Sequence, residues 1–139
     1  MPATVTLYHY TCIEHLPTIL AAGYLKTSES NISPRVPHAG PDVAWLTTQP
    51  DPTLGHGLNA GQTVVDKTRI RFTVQVPKRA VTPWRLWATM QGIDPTWMRA
   101  LAQAGGSGTW RVTPRPIPAE QWVEVLDRHT GRTYPIPTT

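Results

Sequence analysis

The sequence predicts a single α+β domain over residues 1–139, in which short strands alternate with short helices. Three observations carry this expectation. Residues 4–10 and 68–76 alternate apolar and polar side chains with period two, the pattern of a half-buried strand. Ile13, Leu16 and Leu20 recur at helical spacing directly after the first of these runs. Fifteen prolines and ten glycines punctuate the chain too often for long helices, which excludes coiled coils and helical bundles.

In the first strand Val5, Leu7 and His9 share one face while Thr4, Thr6, Tyr8 and Tyr10 share the other, so His9 ends the more apolar face. Thr11 and Glu14 stand in T-x-x-E spacing, a capping box for the helix, and Gly23 sits where its C-terminal cap belongs. Residues 27–41, TSESNISPRVPHAGP, are polar and rich in Pro and Gly, so they read as a long loop, where small domains commonly place function. Residues 43–48, VAWLTT, form a short buried strand closed by Gln49, Pro50, Asp51 and Pro52, and LGHGLNAGQ at 54–62 is a second loop.

In the run from 68 to 76, Ile70, Phe72, Val74 and Val76 share the apolar face and Arg69, Arg71, Thr73 and Gln75 the polar one. Thr82 is placed to cap a short helix carrying Trp84, Trp87 and Met90. Asp94 and Pro95 start another, which carries Trp97, Met98 and Leu101 and stops at Gly105 and Gly106. At helical spacing the tryptophans at 84, 87 and 97 are expected to pack as core. Strands follow at 109–113 and 121–127, and then a hairpin through His129, Thr130 and Gly131 into 132–136.

Composition excludes several classes of function. No apolar run approaches the roughly 20 residues that cross a bilayer, and the opening MPATVTLYHY lacks the basic and apolar regions of a signal peptide. A cytoplasmic protein without a membrane partner is therefore expected. One cysteine, Cys12, allows neither an internal disulfide nor a cysteine-based zinc site, and is expected as a small buried hydrophobe. The five histidines show neither i, i+4 nor H-x-H spacing, so no metal site is expected. G-x-S-x-G is absent, and GGSG at 105–108 precedes a strand, the wrong order for a helix-capped phosphate loop. A net charge of +4 favours polyanions, although the arginines are spread along the chain rather than gathered in one run.

The segment Leu7-Tyr8-His9-Tyr10-Thr11 followed by IEHLPTILAAGYL resembles the opening of ADP-ribosyltransferase-fold proteins, especially the DarT-like DNA ADP-ribosyltransferase toxins and the RNA 2′-phosphotransferases. In those families a strand-end His precedes a helix of this form. Trp45, Leu46, Thr47 and Thr48 resemble their second landmark, an aromatic and small hydroxyl residues beside the nicotinamide. The resemblance implies an ADP-ribosyltransferase-like α+β fold: two small, mostly antiparallel sheets around a cleft, with short flanking helices. It implies NAD as a substrate and transfer of ADP-ribose to a macromolecule, a nucleic acid or a protein.

The resemblance assigns NAD binding to His9, Tyr10, Thr11, Trp45, Thr47 and Thr48, and catalysis to His9 with Glu120 or Glu124. The chemistry suits these residue types. Cleaving the glycosidic bond of NAD passes through an oxocarbenium-like state, which a site must hold and polarise rather than attack. An imidazole can bond a ribose hydroxyl, an aromatic face can stack on nicotinamide, and a carboxylate can stabilise the developing positive charge. Two alignments of the C-terminal third differ on the carboxylate. In one, Ala119-Glu120-Gln121-Trp122-Val123 resembles a late-strand glutamate motif, with Glu124 as the second candidate. In the other, TWRVTPRPIPAEQW aligns with the strand-then-proline stretch of the phosphotransferases, the active position falls near Thr109, and Glu120 is a turn cap. The alternative reading of the whole chain is a non-catalytic binding module of the same or a similar fold. It would hold nucleic acid or an acidic protein with Arg69 and Arg71 on an exposed sheet face.

Overall fold

The structure is a computed structural model that describes residues 3–27, 43–51, 67–102 and 107–137. The loops expected at 27–41 and 54–62 lie outside the described residues, apart from Thr27. In chain order the strands are β1 (Thr4–Thr11), β2 (Tyr24–Leu25), β3 (Ala44–Thr47), β4 (Ile70–Pro77), β5 (Thr82–Pro83), β6 (Trp110–Thr113), β7 (Ile117–Pro118) and β8 (Trp122–Asp127). The helices are α1 (Leu16–Ala22), α2 (Trp84–Met90) and α3 (Pro95–Ala102), and 3-10 turns at Ile13–His15 and Ala119–Gln121 lead into α1 and β8.

The chain is α+β. Six strands form one antiparallel sheet in the order β5-β6-β3-β1-β4-β8, and β2 and β7 form a separate ribbon. The division is thus uneven, one large sheet and a two-stranded ribbon, where the resemblance implied two small sheets. The ribbon and β5 are too short for periodicity to mark them.

Register decides which side chains share a face, because directly paired residues project to the same side. Leu7 pairs with Val74, and His9 with Phe72, which in turn pairs with Val125, so these five residues occupy the first face. Leu16, Ile19 and Leu20 of α1 and Ile117 and Ala119 close over it to form the main core. Tyr8 pairs with Thr47 and Thr73, and Thr73 with Glu124, which places these four on the second face. There Trp84, Trp87 and Ala88 of α2 pack with Val43, Trp110 and Val112 as a second core, and Trp45 and Met98 lie against it.

The expected starts of α1 and α2 differ from those observed. Thr11 is still held in β1 opposite Ile70, so its hydroxyl meets Nδ1 of His15 at 3.2 Å and the capping box with Glu14 does not form. Gly23 does end α1, with φ of 78° and its N–H bonded to the Ile19 carbonyl at 2.9 Å. Thr82 cannot cap α2 because it pairs with Val112 in β5, leaving Pro83 at the N-cap. Met90, expected on the apolar side of α2, is 70% exposed. Asp94 does start α3, its Oδ1 accepting the Thr96 N–H at 2.8 Å. The side chains of Trp97 and Leu101 lie outside the described residues. After β8 the expected hairpin shortens to one bridge, Leu126 with Thr133, around a turn with Gly131 at φ 76°.

Candidate functional site

The two segments that carry the resemblance are neighbours in space. β1 and β3 run antiparallel with Tyr8 opposite Thr47, which brings His9 level with Leu46. The His9 ring reaches back to β3, and Nδ1 lies 2.8 Å from the carbonyl oxygen of Trp45. A carbonyl only accepts, so in the neutral ring Nδ1 carries the proton and Nε2 presents its lone pair. Nε2 has no hydrogen-bond partner among the described residues. The ring is half-buried and rests edge-on against Phe72, with centroids 6.1 Å apart. Burial lowers its pKa from the ordinary histidine value, the Trp45 carbonyl opposes that shift, and nearby His15 adds to it. The imidazole at this strand end is therefore held neutral and oriented.

Leu46 pairs with Arg111 on β6, so His9, Leu46 and Arg111 form a row across three strands of the first face, with His9 and Arg111 about 10 Å apart at two strand spacings. Arg111 Nη1 donates to the carbonyls of Gly108 and Trp110, each at 3.0 Å. Sequence reasoning counted Arg111 only among the dispersed arginines. The signal available for it was its place between Trp110 and Val112, two apolar residues that must point to the other face.

The remaining site candidates are spread around the sheet. Tyr10 projects to the second face, where it is buried and its hydroxyl donates to the Gln49 carbonyl at 2.8 Å. Burial pushes its pKa up to about 12. The Trp45 ring also lies on the second face, packed 5.9 Å from Trp110 and 6.3 Å from Trp84, so only its backbone meets His9. Thr11 bonds His15, as described above. The Thr47 hydroxyl donates to that of Thr109 at 3.1 Å, and the Thr48 N–H donates to the Thr109 carbonyl at 3.0 Å. Thr109, the position singled out by the second alignment, is thus seated directly beside the Trp45 strand.

Neither candidate carboxylate stands beside His9. Glu124 is on the second face, so the sheet itself separates the two, and its Oε1 accepts from Arg71 Nη2 at 3.0 Å. Glu120 is exposed on the 3-10 turn before β8. Because β8 begins opposite Val74, that turn lies toward the Val76 end of β4, which pairs with Val5, the end of β1 away from His9.

The arginines expected to offer free charge are paired instead. Arg69 is bound to Asp127 and Arg71 to Glu124. Arg71 also donates to the Pro50 carbonyl at 2.7 Å and lies over the Tyr8 ring, while Arg128 lies over the Tyr10 ring and reaches Asp51 at 3.5 Å. Gln49, Pro50 and Asp51 accept from Tyr10, Arg71 and Arg128, so these arginines are engaged and do not form an open cationic platform, although Arg71 Nε has no partner among the described residues. Among the described residues no group of three or more His, Cys, Asp or Glu is placed to hold a metal ion, and no helix is long and apolar enough to cross a membrane.

Compared with known proteins, the chain matches no family description, no curated protein and no solved structure.

Proposed function

We propose that this chain is an ADP-ribosyltransferase-like protein that takes NAD at the His9 end of β1. The observation that carries the reading is the 2.8 Å contact between His9 Nδ1 and the Trp45 carbonyl, which joins the two segments on which the resemblance rests. With Nδ1 engaged, Nε2 is free to accept a hydrogen bond from a ribose hydroxyl. Arg111, on the same face, supplies a guanidinium for the pyrophosphate. Of Thr47 and Thr48, Thr48 would border the nicotinamide, because the Thr47 hydroxyl turns to the second face, where it bonds Thr109.

Transfer of ADP-ribose to a macromolecule is the activity that the resemblance implies. The positions of Glu124 and Glu120 favour the second reading, a domain of this kind that holds its ligand without transferring it, because neither carboxylate can meet an oxocarbenium-like state formed beside His9.

Isothermal titration of the purified chain with NAD tests the first step, and incubation with labelled NAD tests the second. Binding that is lost in His9→Ala and weakened in Arg111→Ala is the expected result. No NAD binding, or equal binding by His9→Ala, overturns the assignment. Release of nicotinamide separates an enzyme from a holding domain, and loss of that release in Glu120→Gln or Glu124→Gln would restore a carboxylate to the mechanism.

A further inference from the structure

We infer that the end of the sheet away from His9 is a docking surface for an acidic, apolar segment of a partner protein. Two hollows lie side by side there and share Pro77. One, of about 300 Å³, is lined by Ala3, Pro77, Lys78 and Arg79. The other, of about 270 Å³, is lined chiefly by Val76, Pro77, Ala80, Pro116, Ile117 and Pro118, with Thr113, Arg115 and Gln121 at its polar positions.

The charge around these hollows is not compensated within the described structure. Three ion pairs use Asp51, Glu124 and Asp127, and all of them serve Arg69, Arg71 and Arg128. Lys78, Arg79 and Arg115 are exposed and have no acidic partner among the described residues. These three cations border the two hollows and form a local positive patch at this end. The acidic side chain nearest in sequence to the lining is Glu120, exposed next to Gln121.

Shape and chemistry together select the partner. Proline- and aliphatic-lined hollows are filled by apolar side chains, and the cations around them by carboxylates, so a peptide alternating the two satisfies both at once. A nucleic-acid strand would meet the cations but leave the hollows unused, and no aromatic ring among the described residues lines either hollow for a base to stack on. Prolines also keep this rim rigid, which limits the ordering entropy lost on docking.

Selection of a displayed random decapeptide library on the purified chain, with no NAD present, tests this surface independently of the His9 reading. The expected peptides carry two or more Asp or Glu residues with Leu, Ile or Val between them. Their binding falls roughly tenfold or more in the triple variant K78E/R79E/R115E, which keeps the wild-type melting temperature, and it weakens with added salt. Ala80→Trp, which fills the second hollow without changing charge, also weakens binding, whereas Glu120→Gln strengthens it. The inference is overturned if the selected peptides lack acidic residues, if they bind the triple variant equally, or if oligothymidylate binds this surface more tightly and displaces them. That last outcome would assign the surface to nucleic acid.

Discussion

Arg69 grips Asp127 through two parallel hydrogen bonds, from Nε to Oδ1 at 3.1 Å and from Nη2 to Oδ2 at 2.9 Å. Asp127 is 1% exposed at the end of β8, and its Oδ1 also accepts the His129 N–H at 2.9 Å. The guanidinium contact, reinforced by that N–H, holds the Asp127 carboxyl well below the usual carboxylate range. A folded-state pKa below the unfolded one stabilises the fold above about pH 4, and the contribution is lost as the pH falls below that value. Asp127→Asn should therefore lower the melting temperature at pH 7 and flatten its decline below pH 4, as followed by circular dichroism. An acid limb identical to wild type would show that another carboxylate governs it.

His9 gives a second pH dependence in a different window. Its folded pKa lies below the ordinary histidine value chiefly because the half-buried ring is partly withdrawn from water. Below about pH 6.5 the unfolded chain binds a proton that the folded chain resists, so stability is full above that pH and declines beneath it. Urea titrations at pH 5.5 and 7.5 should show a difference that shrinks in His9→Gln. An unchanged difference would show that His9 does not govern it.

The pair between Glu124 and Arg71 is partly open to solvent, with the Glu124 side chain 40% exposed. Glu124→Gln should cost less than about 1 kcal/mol of stability, as exposed ion pairs do. It should also leave the affinity for NAD unchanged, because the sheet separates it from His9. Equilibrium unfolding and calorimetry on the same variant check both statements.

Trp84 is 1% exposed and packs against Trp110 at 5.1 Å between ring centroids, at the centre of the second core. Trp84→Ala should destabilise the chain by about 3–5 kcal/mol, the usual cost of removing a large buried aromatic. The urea midpoint measures this. A loss below about 1 kcal/mol would mean that α2 contributes little to global stability.

Gly23 ends α1 in the left-handed region, and no atom of the described residues lies within 4 Å of where an added Cβ would stand. Gly23→Ala should therefore cost about 1 kcal/mol through backbone conformation alone, without a steric clash. A thermal melt that matches wild type would show that the helix end readjusts.

Much of the fold was legible because it rests on local rules. Alternation in 4–10 and 68–76 marks β1 and β4, since a half-buried strand must turn every second side chain inward. Helical spacing followed by Gly23 marks α1 and its end, and Asp94 before Pro95 marks the start of α3. Cys12 and the tryptophans at 84 and 87 are buried as their neighbours in sequence imply.

What the sequence by itself determined is which residues alternate, which begin and end helices, and that His9 occupies the apolar side of its strand, because these follow from backbone geometry over a few residues. The tertiary structure alone decided which strands became neighbours. That choice set His9 against the Trp45 carbonyl, placed Thr109 beside Thr47, turned Tyr10 and Trp45 to the second face, and put Glu124 across the sheet from His9. The contacts of His9 and Thr47 join residues 36 and 62 positions apart, and a shift of one residue in strand pairing reverses every side chain, so no local pattern specifies them. The same long-range pairing brought Arg69 to Asp127 and Arg71 to Glu124, leaving Lys78, Arg79 and Arg115 without acidic partners among the described residues.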